Sequence, residues 1–353
     1  MALNPQMAER LYGNLDGIEA TGRLAPSYVA VLVNERGKNS KEFVSLTVDG
    51  DFWKIFDFTF LHGKPFSQAE SEAGSGKIVI SASTARAVFG EEDVVGRQLE
   101  VNHSPYTVGG VVKDVNPMLD KIYASVYLPY KPKSTYGEMW EGDITVALLT
   151  KPGVKAEDIK KQVEERYGRL KSEMAADGQE PVYHQQPYTA EESTLWFGSN
   201  NDPDLASHRR TNWIIYTLLI LLPAINLSSM TRSRLRHRVA EIGVRRAFGA
   251  RRSEIVRQLL GENLIITLAG GLIGLILSVL AMLLISHLFF ANGAMFASQL
   301  EMLVARPSFS MLFQWSTFGF ALAICFILNI ISATVPAWRA SRMEPAIAIS
   351  RAH

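Results

Sequence analysis

Three long stretches without a single Asp, Glu, Lys or Arg constrain this chain more than any other feature. They are Thr211–Thr231 (TNWIIYTLLILLPAINLSSMT), Asn263–Leu300, with the core LIITLAGGLIGLILSVLAMLLISHLFF, and Pro307–Trp338. A helix needs about 20 predominantly apolar residues to cross roughly 30 Å of hydrocarbon. The second and third stretches exceed that length. The first only reaches it, with Pro223 at its middle and Asn226, Ser228 and Ser229 near one end. Helices of soluble cores rarely run this far without a charged face. The pattern predicts an all-α membrane domain, 210–353, with three transmembrane helices at about 211–231, 262–290 and 309–337. A membrane helix tolerates Pro223 when neighbours satisfy the freed carbonyl. Gly270, Gly271 and Gly274 are small residues that let a second helix backbone approach closely.

Charge gives these helices a direction. The 353 residues sum to +1, which offers no general affinity for nucleic acid. Between Thr231 and Gln258, however, nine arginines and two glutamates give +7, leaving −6 for the rest. Lys and Arg are retained on the cytoplasmic side of a membrane. The basic segment 232–258 is therefore expected inside. The link around Ala291–Ser308 carries only Glu301 and Arg306 and fits the outside; the tail 339–353 has three arginines against one glutamate and fits the inside. Residues 1–209 are then extracytoplasmic in a multi-pass protein of the cell (inner) membrane. The start, MALNPQMAERLYGN, holds no apolar signal segment. This orientation thus predicts a leading transmembrane segment that the present sequence lacks. The inverted orientation is the alternative, and the arginine count argues against it.

Residues 1–209 read as a mixed α/β (α+β) domain. Tyr28–Glu35 (YVAVLVNE), EFVSLTVDG, GKIVIS, YTVGGVVKD, ASVYLPY and ITVALLTK are short strand-like runs separated by turn residues. NPQMAERLYGNL, SASTARAVFG and KAEDIKKQVEERYGRLKSEM read as helices. Ile159, Val163, Tyr167 and Leu170 mark the apolar face of the last, and Ser81 stands where a helix cap belongs. His208–Arg210 and Trp213 suit a membrane boundary. Gly74–Lys77 (GSGK) looks like part of a phosphate loop, but Ser71 and Ile78 stand where that motif needs Gly and Ser or Thr. A strand-like run follows it, so a plain exposed turn is expected. The single cysteine, Cys325, lies in an apolar run, and the seven histidines have no ligand spacing. No nucleophile–base motif is present. The chain is not expected to be an enzyme or to hold a metal or cofactor itself.

Within the arginine-rich segment, Leu235, Val239 and Ile242 form an apolar stripe with arginines on other faces, before Gly249 breaks the helix. Such an amphipathic helix can rest on lipid headgroups or dock its stripe into a protein groove. Here RVAEIGVRRAFGA resembles the RxxEIGxRRALGA pattern of permeases of the MacB and FtsX superfamily of ABC transporters. The closing VPAWRASRMEPAIAIS and the lead-in AINLSSMTRSR are similar to that family's PARRASRLDPVEALR and INFxNLxxARS. In the outer domain, FVSLTVDGDFWKIFDFTFLHGKPF, KIVISASTARAVFG, VVGRQLEVN and YTVGGVVKD follow the order of a MacB-like periplasmic core domain.

The resemblance implies an outer domain of two subdomains, an α/β half (1–40 and 140–205) and an inserted, mostly β half (42–135). It also implies four transmembrane helices, of which this sequence shows three. It implies a separate ABC ATPase subunit that binds ATP and Mg, contacted by Val239, Glu241, Ile242, Gly243, Arg245, Arg246, Phe248 and Gly249. The apolar positions would dock while Arg245 and Arg246 pair acidic groups or lipid. A second permease copy, identical or related, is a further expected partner, with membrane lipid and a periplasmic adaptor or hydrolase. The expected function is mechanotransmission: ATP hydrolysis inside moves the outer domain and exports an antibiotic, peptide or lipoprotein. The alternative is a non-transporting permease that controls a cell-wall hydrolase or senses antimicrobials.

Overall fold

The computed structural model describes residues 3–35, 40–116, 119, 121–131, 144–176, 184–195, 202–237, 239–293 and 315–341. The chain divides into two compact units, Met1–Asp204 with Ser286–Pro307, and Leu205–Ile285 with Ser308–His353.

The first unit is mixed α/β, as its alternating patterns predict. Helix α1 (Pro5–Tyr12) starts at Asn4, whose side chain accepts the Gln6 N–H at 2.7 Å, with proline in the first turn. Strand β1 (Ile18–Asn34) then runs for 17 residues and serves two partners in turn. Ile18–Leu24 pair antiparallel with β8 (Thr145–Thr150), and Leu24–Val33 pair antiparallel with β2 (Lys41–Val48). From β2 the pairings pass to β7 (Val126–Pro129), β4 (Lys77–Ser81), β6 (Ser104–Val112) and β5 (Gln98–Val101). β5 pairs with Val33 and Asn34 at the end of β1, so the circuit closes on itself. Closure leaves those six strands few unpaired backbone groups. Strand β3 (Phe60–Gly63) adds to β6.

Period-two alternation sorts the side chains into two cores. On β4, Ile78 and Ile80 join Val33, Phe43, Leu99 and Val126 in one cluster, backed by Ala82 and Ala85 of α4 (Ala82–Phe89). Val79 faces the other cluster, with Leu24, Val48, Phe52 and Tyr127. Each such fully buried side chain contributes about 1.5–3 kcal/mol. Ser81 caps α4 as expected, its hydroxyl accepting the Thr84 N–H at 3.2 Å. The second core is rich in aromatics. Around α2 (Phe52–Ile55), the Trp53 ring meets Phe58, Phe60, Phe66 and Tyr127 edge-on at centroid distances of 5.2 to 5.5 Å. A short α3 (Gln68–Glu72) precedes β4 and opens with a capping box between Ser67 and Glu70. A third core packs α5 (Ala156–Ala176) and the end of α1 against β8 through Ile159, Val163, Leu170, Met174, Leu11 and Val146. Tyr167 packs at its margin. Helix α6 (Ala190–Leu195) is tied to α5 by Lys160, whose Nζ donates to both Glu192 oxygens at 2.8 and 2.9 Å.

The second unit is all helix among the described residues: α7 (Leu205–His237), α8 (Val239–Ala247), α9 (Arg252–Gly293) and α10 (Trp315–Ser341). Helix α7 continues unbroken through position 223. Of the three expected spans, one is found among the described residues: Ser253–Ala281, on α9, is long and apolar enough to cross a bilayer. It begins nearer the basic segment than the expected 262–290, because the helix continues back to Arg252. The expected third span coincides with α10, where the apolar stretch Trp315–Leu328 is shorter; residues 309–314 lie outside the described residues. The expected first span lies within α7, no stretch of which is long and apolar enough by the same measure among the described residues. Large apolar side chains on these helices, among them Leu222, Ile265, Leu272 and Ile276, are exposed. A core helix of a soluble protein would bury them.

Candidate functional site

Between α7 and α9 the chain makes a helical hairpin. Helix α8 ends at Gly249, whose φ of 93° only glycine adopts without strain. The Ala250 N–H donates to the Arg245 carbonyl at 3.1 Å, a six-to-one bond that closes the turn as a Schellman motif. The chain then enters α9, where the Glu254 carboxylate accepts the Arg251 N–H at 3.1 Å. This satisfies a donor that the start of a helix leaves open.

Across the turn, Ile242 (8% exposed) packs on Ile255 (6% exposed), with Ala250 beside them. Among the described residues beyond Leu205, these two are the buried apolar side chains. Arg245 lies above them. Its guanidinium donates to Glu241 at 2.5 Å and to Gln258 at 2.7 Å, and Gln258 in turn donates to Glu262 at 3.2 Å. Phe248 points away, 88% exposed, with Val244 one turn before it also exposed.

The residues singled out from the sequence therefore separate. Ile242 faces α9 and Arg245 is engaged within the hairpin, whereas Phe248 is presented outward. Glu241 is the ion-pair partner of Arg245. Val239, Gly243 and Arg246 belong to α8, but their side chains lie outside the described residues. Of the three glycines on α9, a Cβ on Gly271 would meet the Leu322 side chain of α10 at 3.3 Å, while Gly270 and Gly274 face open space among the described residues.

The GSGK stretch is the turn between α3 and β4, and a strand, not a helix, follows it. Lys77 is bound to Glu70, which holds that carboxyl down at about 2 with help from the Ser67 N–H and hydroxyl. One further group carries no signal in the residue pattern. Asp49, 3% exposed, lies at the end of β2 and accepts the Phe52 N–H at 3.0 Å. Burial pushes its carboxyl up to about 6.

Two family models match in succession. The MacB-like periplasmic core domain covers residues 2–166, and the FtsX-like permease C-terminal domain covers residues 213–345. Macrolide export ATP-binding/permease protein MacB 1 of Escherichia coli O1:K1 / APEC is 27% identical over 363 residues, covering 99% of this chain and 50% of that protein. MacB of Shigella flexneri gives the same values. The chain thus spans about half the length of the curated relatives it matches. Solved structures with some likeness include the extracellular domain of the noncanonic ABC-type transporter YknZ from Gram-positive bacteria. It shows 17% identity and a TM-score of 0.36, over 47% of this chain and 83% of that one. The periplasmic region of MacB from Actinobacillus actinomycetemcomitans shows 16% identity and a TM-score of 0.39, over 48% and 75%. An α/β domain followed by apolar helices around a basic hairpin, matched in that order by both models, defines a membrane permease. The chain belongs to the ABC transporter permeases of the MacB/FtsX superfamily.

Proposed function

We propose that this chain couples ATP hydrolysis in a separate ABC ATPase subunit, which binds ATP and Mg, to movement of its own outer domain. In this reading residues 1–209 are extracytoplasmic and divide into the 1–40 with 140–205 half and the inserted 42–135 half. Three spans lie at about 211–231, 262–290 and 309–337, and a second permease copy completes the assembly. The observation that carries it is the hairpin: an apolar knob, Phe248, stands exposed on a basic turn between long apolar helices. An exposed aromatic on a rigid helix end suits insertion into a partner's groove. The burial of Ile242 narrows the docking surface to Val244 and Phe248 and gives Ile242 the task of holding α8 in place.

The word macrolide in the relatives' names supports export of an antibiotic-class substrate, with peptide and lipoprotein as neighbouring classes. The test is co-purification of the full chain with a candidate ATPase subunit. Phe248→Asp is expected to cost at least tenfold in recruitment, because a carboxylate would be desolvated in the groove. Undiminished recruitment would remove the coupling role. If recruitment fails as expected but efflux of a labelled macrolide is the same with and without the permease, the regulatory alternative takes its place.

A further inference from the structure

The first unit runs to Asp204 and α7 starts at Leu205, so whatever moves α7 acts first on the residues just before it. Side chains tie those residues back onto the unit. The Tyr188 hydroxyl donates to Asp202 Oδ1 at 2.9 Å, and His184 Nδ1 stands 3.8 Å from the same oxygen. Residues 196–201 lie outside the described residues, and the Tyr188–Asp202 bond joins the two sides of that stretch directly. Tyr188 leads at once into the box that opens α6. The Thr189 N–H donates to the Glu192 carboxylate at 2.8 Å, and the Glu192 N–H donates to the Thr189 hydroxyl at 3.3 Å.

Helix α6 is pinned from two directions. From α5, Lys160 binds the Glu192 carboxylate through both oxygens. From the link between β6 and β7, Lys121 Nζ donates to the Ser193 carbonyl at 2.6 Å. The Lys160 and Glu192 side chains are 23% and 18% exposed, against 53% and 66% for the Arg10–Glu173 pair between α1 and α5. Less water screens the first pair, so it holds more firmly than an ion pair at the surface. Helix α5 is itself locked onto the turn that leads into β1. Arg166 donates to the Gly13 and Asn14 carbonyls, and Gln162 donates to the Asp16 carbonyl at 3.1 Å and accepts its N–H at 3.0 Å. A path of side-chain bonds thus runs from Asp202 through Tyr188 to α6, and from α6 to α5 and the start of β1.

We propose that α6 is the strap by which α7 moves the outer unit, with Tyr188, Lys160 and Lys121 as its positioning residues. The strap rests on the coupling reading given above. A connection made by backbone alone transmits tension but little bending. Side-chain bonds on both sides of residues 196–201 make the connection stiff, so that a tilt of α7 reaches α6 as well as a pull. Because α6 is held by α5 on one side and by the β6–β7 link on the other, its displacement is shared between the α5 layer and the strands.

The experiment measures the distance distribution between nitroxide labels in the full chain in lipid nanodiscs, by pulsed electron resonance. Labels go on Glu165→Cys of α5 and Ala206→Cys of α7, both exposed positions, with Cys325→Ser removing the native thiol. The intact strap should give a narrow distribution, and Lys160→Met combined with Tyr188→Phe should broaden it. An unchanged distribution overturns the strap, and so does equal broadening by Lys77→Met, which breaks an ion pair outside the path. If the double variant loses amide protection across α5, Glu192→Gln replaces it and the same outcomes decide. A second readout adds a candidate ATPase subunit. The strap variant should recruit that subunit and hydrolyse ATP as the wild type does, but lose export of a labelled macrolide. Lost recruitment, or export equal to that of the wild type, overturns the positioning role. Failure of the coupling reading looks different: the wild type itself then recruits no ATPase, while the distance distribution, measured without that subunit, still decides the strap.

Discussion

Asp49 and Glu70 are carboxylates of one domain that answer acid in opposite senses. Asp49 is raised, so its folded form loses stability as pH climbs from about 4 to 6. Glu70 is lowered, so its contribution is complete above its ordinary 4.5 and is lost as pH falls toward 2. Glu70→Gln should therefore lower the thermal midpoint of the chain at pH 6, with the difference shrinking toward pH 2. The change should be small, because Glu70 is close to solvent. Gly249 has a different sensitivity. Among the described residues nothing stands within 4 Å of a Cβ added there, yet its φ is 93°. Gly249→Ala should cost about 1–2 kcal/mol through backbone strain alone. It would appear as faster amide exchange across Arg245–Ile255, with no change in the outer unit.

Helices and strands depend on partners that local pattern does not name. Phe52→Ala, at the head of α2, would open a void among Trp53, Phe56, Phe58 and Tyr127. It should cost about 3–5 kcal/mol in thermal unfolding. On the hairpin, Arg245→Ala removes two side-chain bonds but leaves Ile242 on Ile255, so ATPase recruitment should fall less than with Phe248→Asp. The β4–α4 turn was legible because Ser81 is an N-cap by its chemistry, and the face of α5 was legible because its period is local. The strand-like run Tyr28–Glu35 covers only the second part of β1, and Gly22 and Pro26, residues unusual inside a strand, lie in the first. Gly22 in fact lies in strand where α2 crosses it, and a Cβ there would stand 2.8 Å from the Ile55 side chain. The stripe containing Ile242 was visible, but its partner Ile255 lies across a turn. Whether such a stripe faces its own chain or another molecule is a long-range fact.

Across the whole molecule, the two units differ in how they use apolar surface. The first buries it in several cores, whereas the second leaves leucines and isoleucines of α7 and α9 exposed. Such surface needs lipid or detergent, so removing detergent from the purified full chain should cause aggregation, and nanodiscs should prevent it. One further consequence comes from the length of β1. At about 3.3 Å per residue, 17 residues reach roughly 55 Å, and the shift in pairing between Ser27 and Ala30 gives that reach a bend. The β8 sheet and the six-strand circuit are therefore mounted on one shared beam. A twist applied to either must be borne by the other, unless the beam yields at its joint.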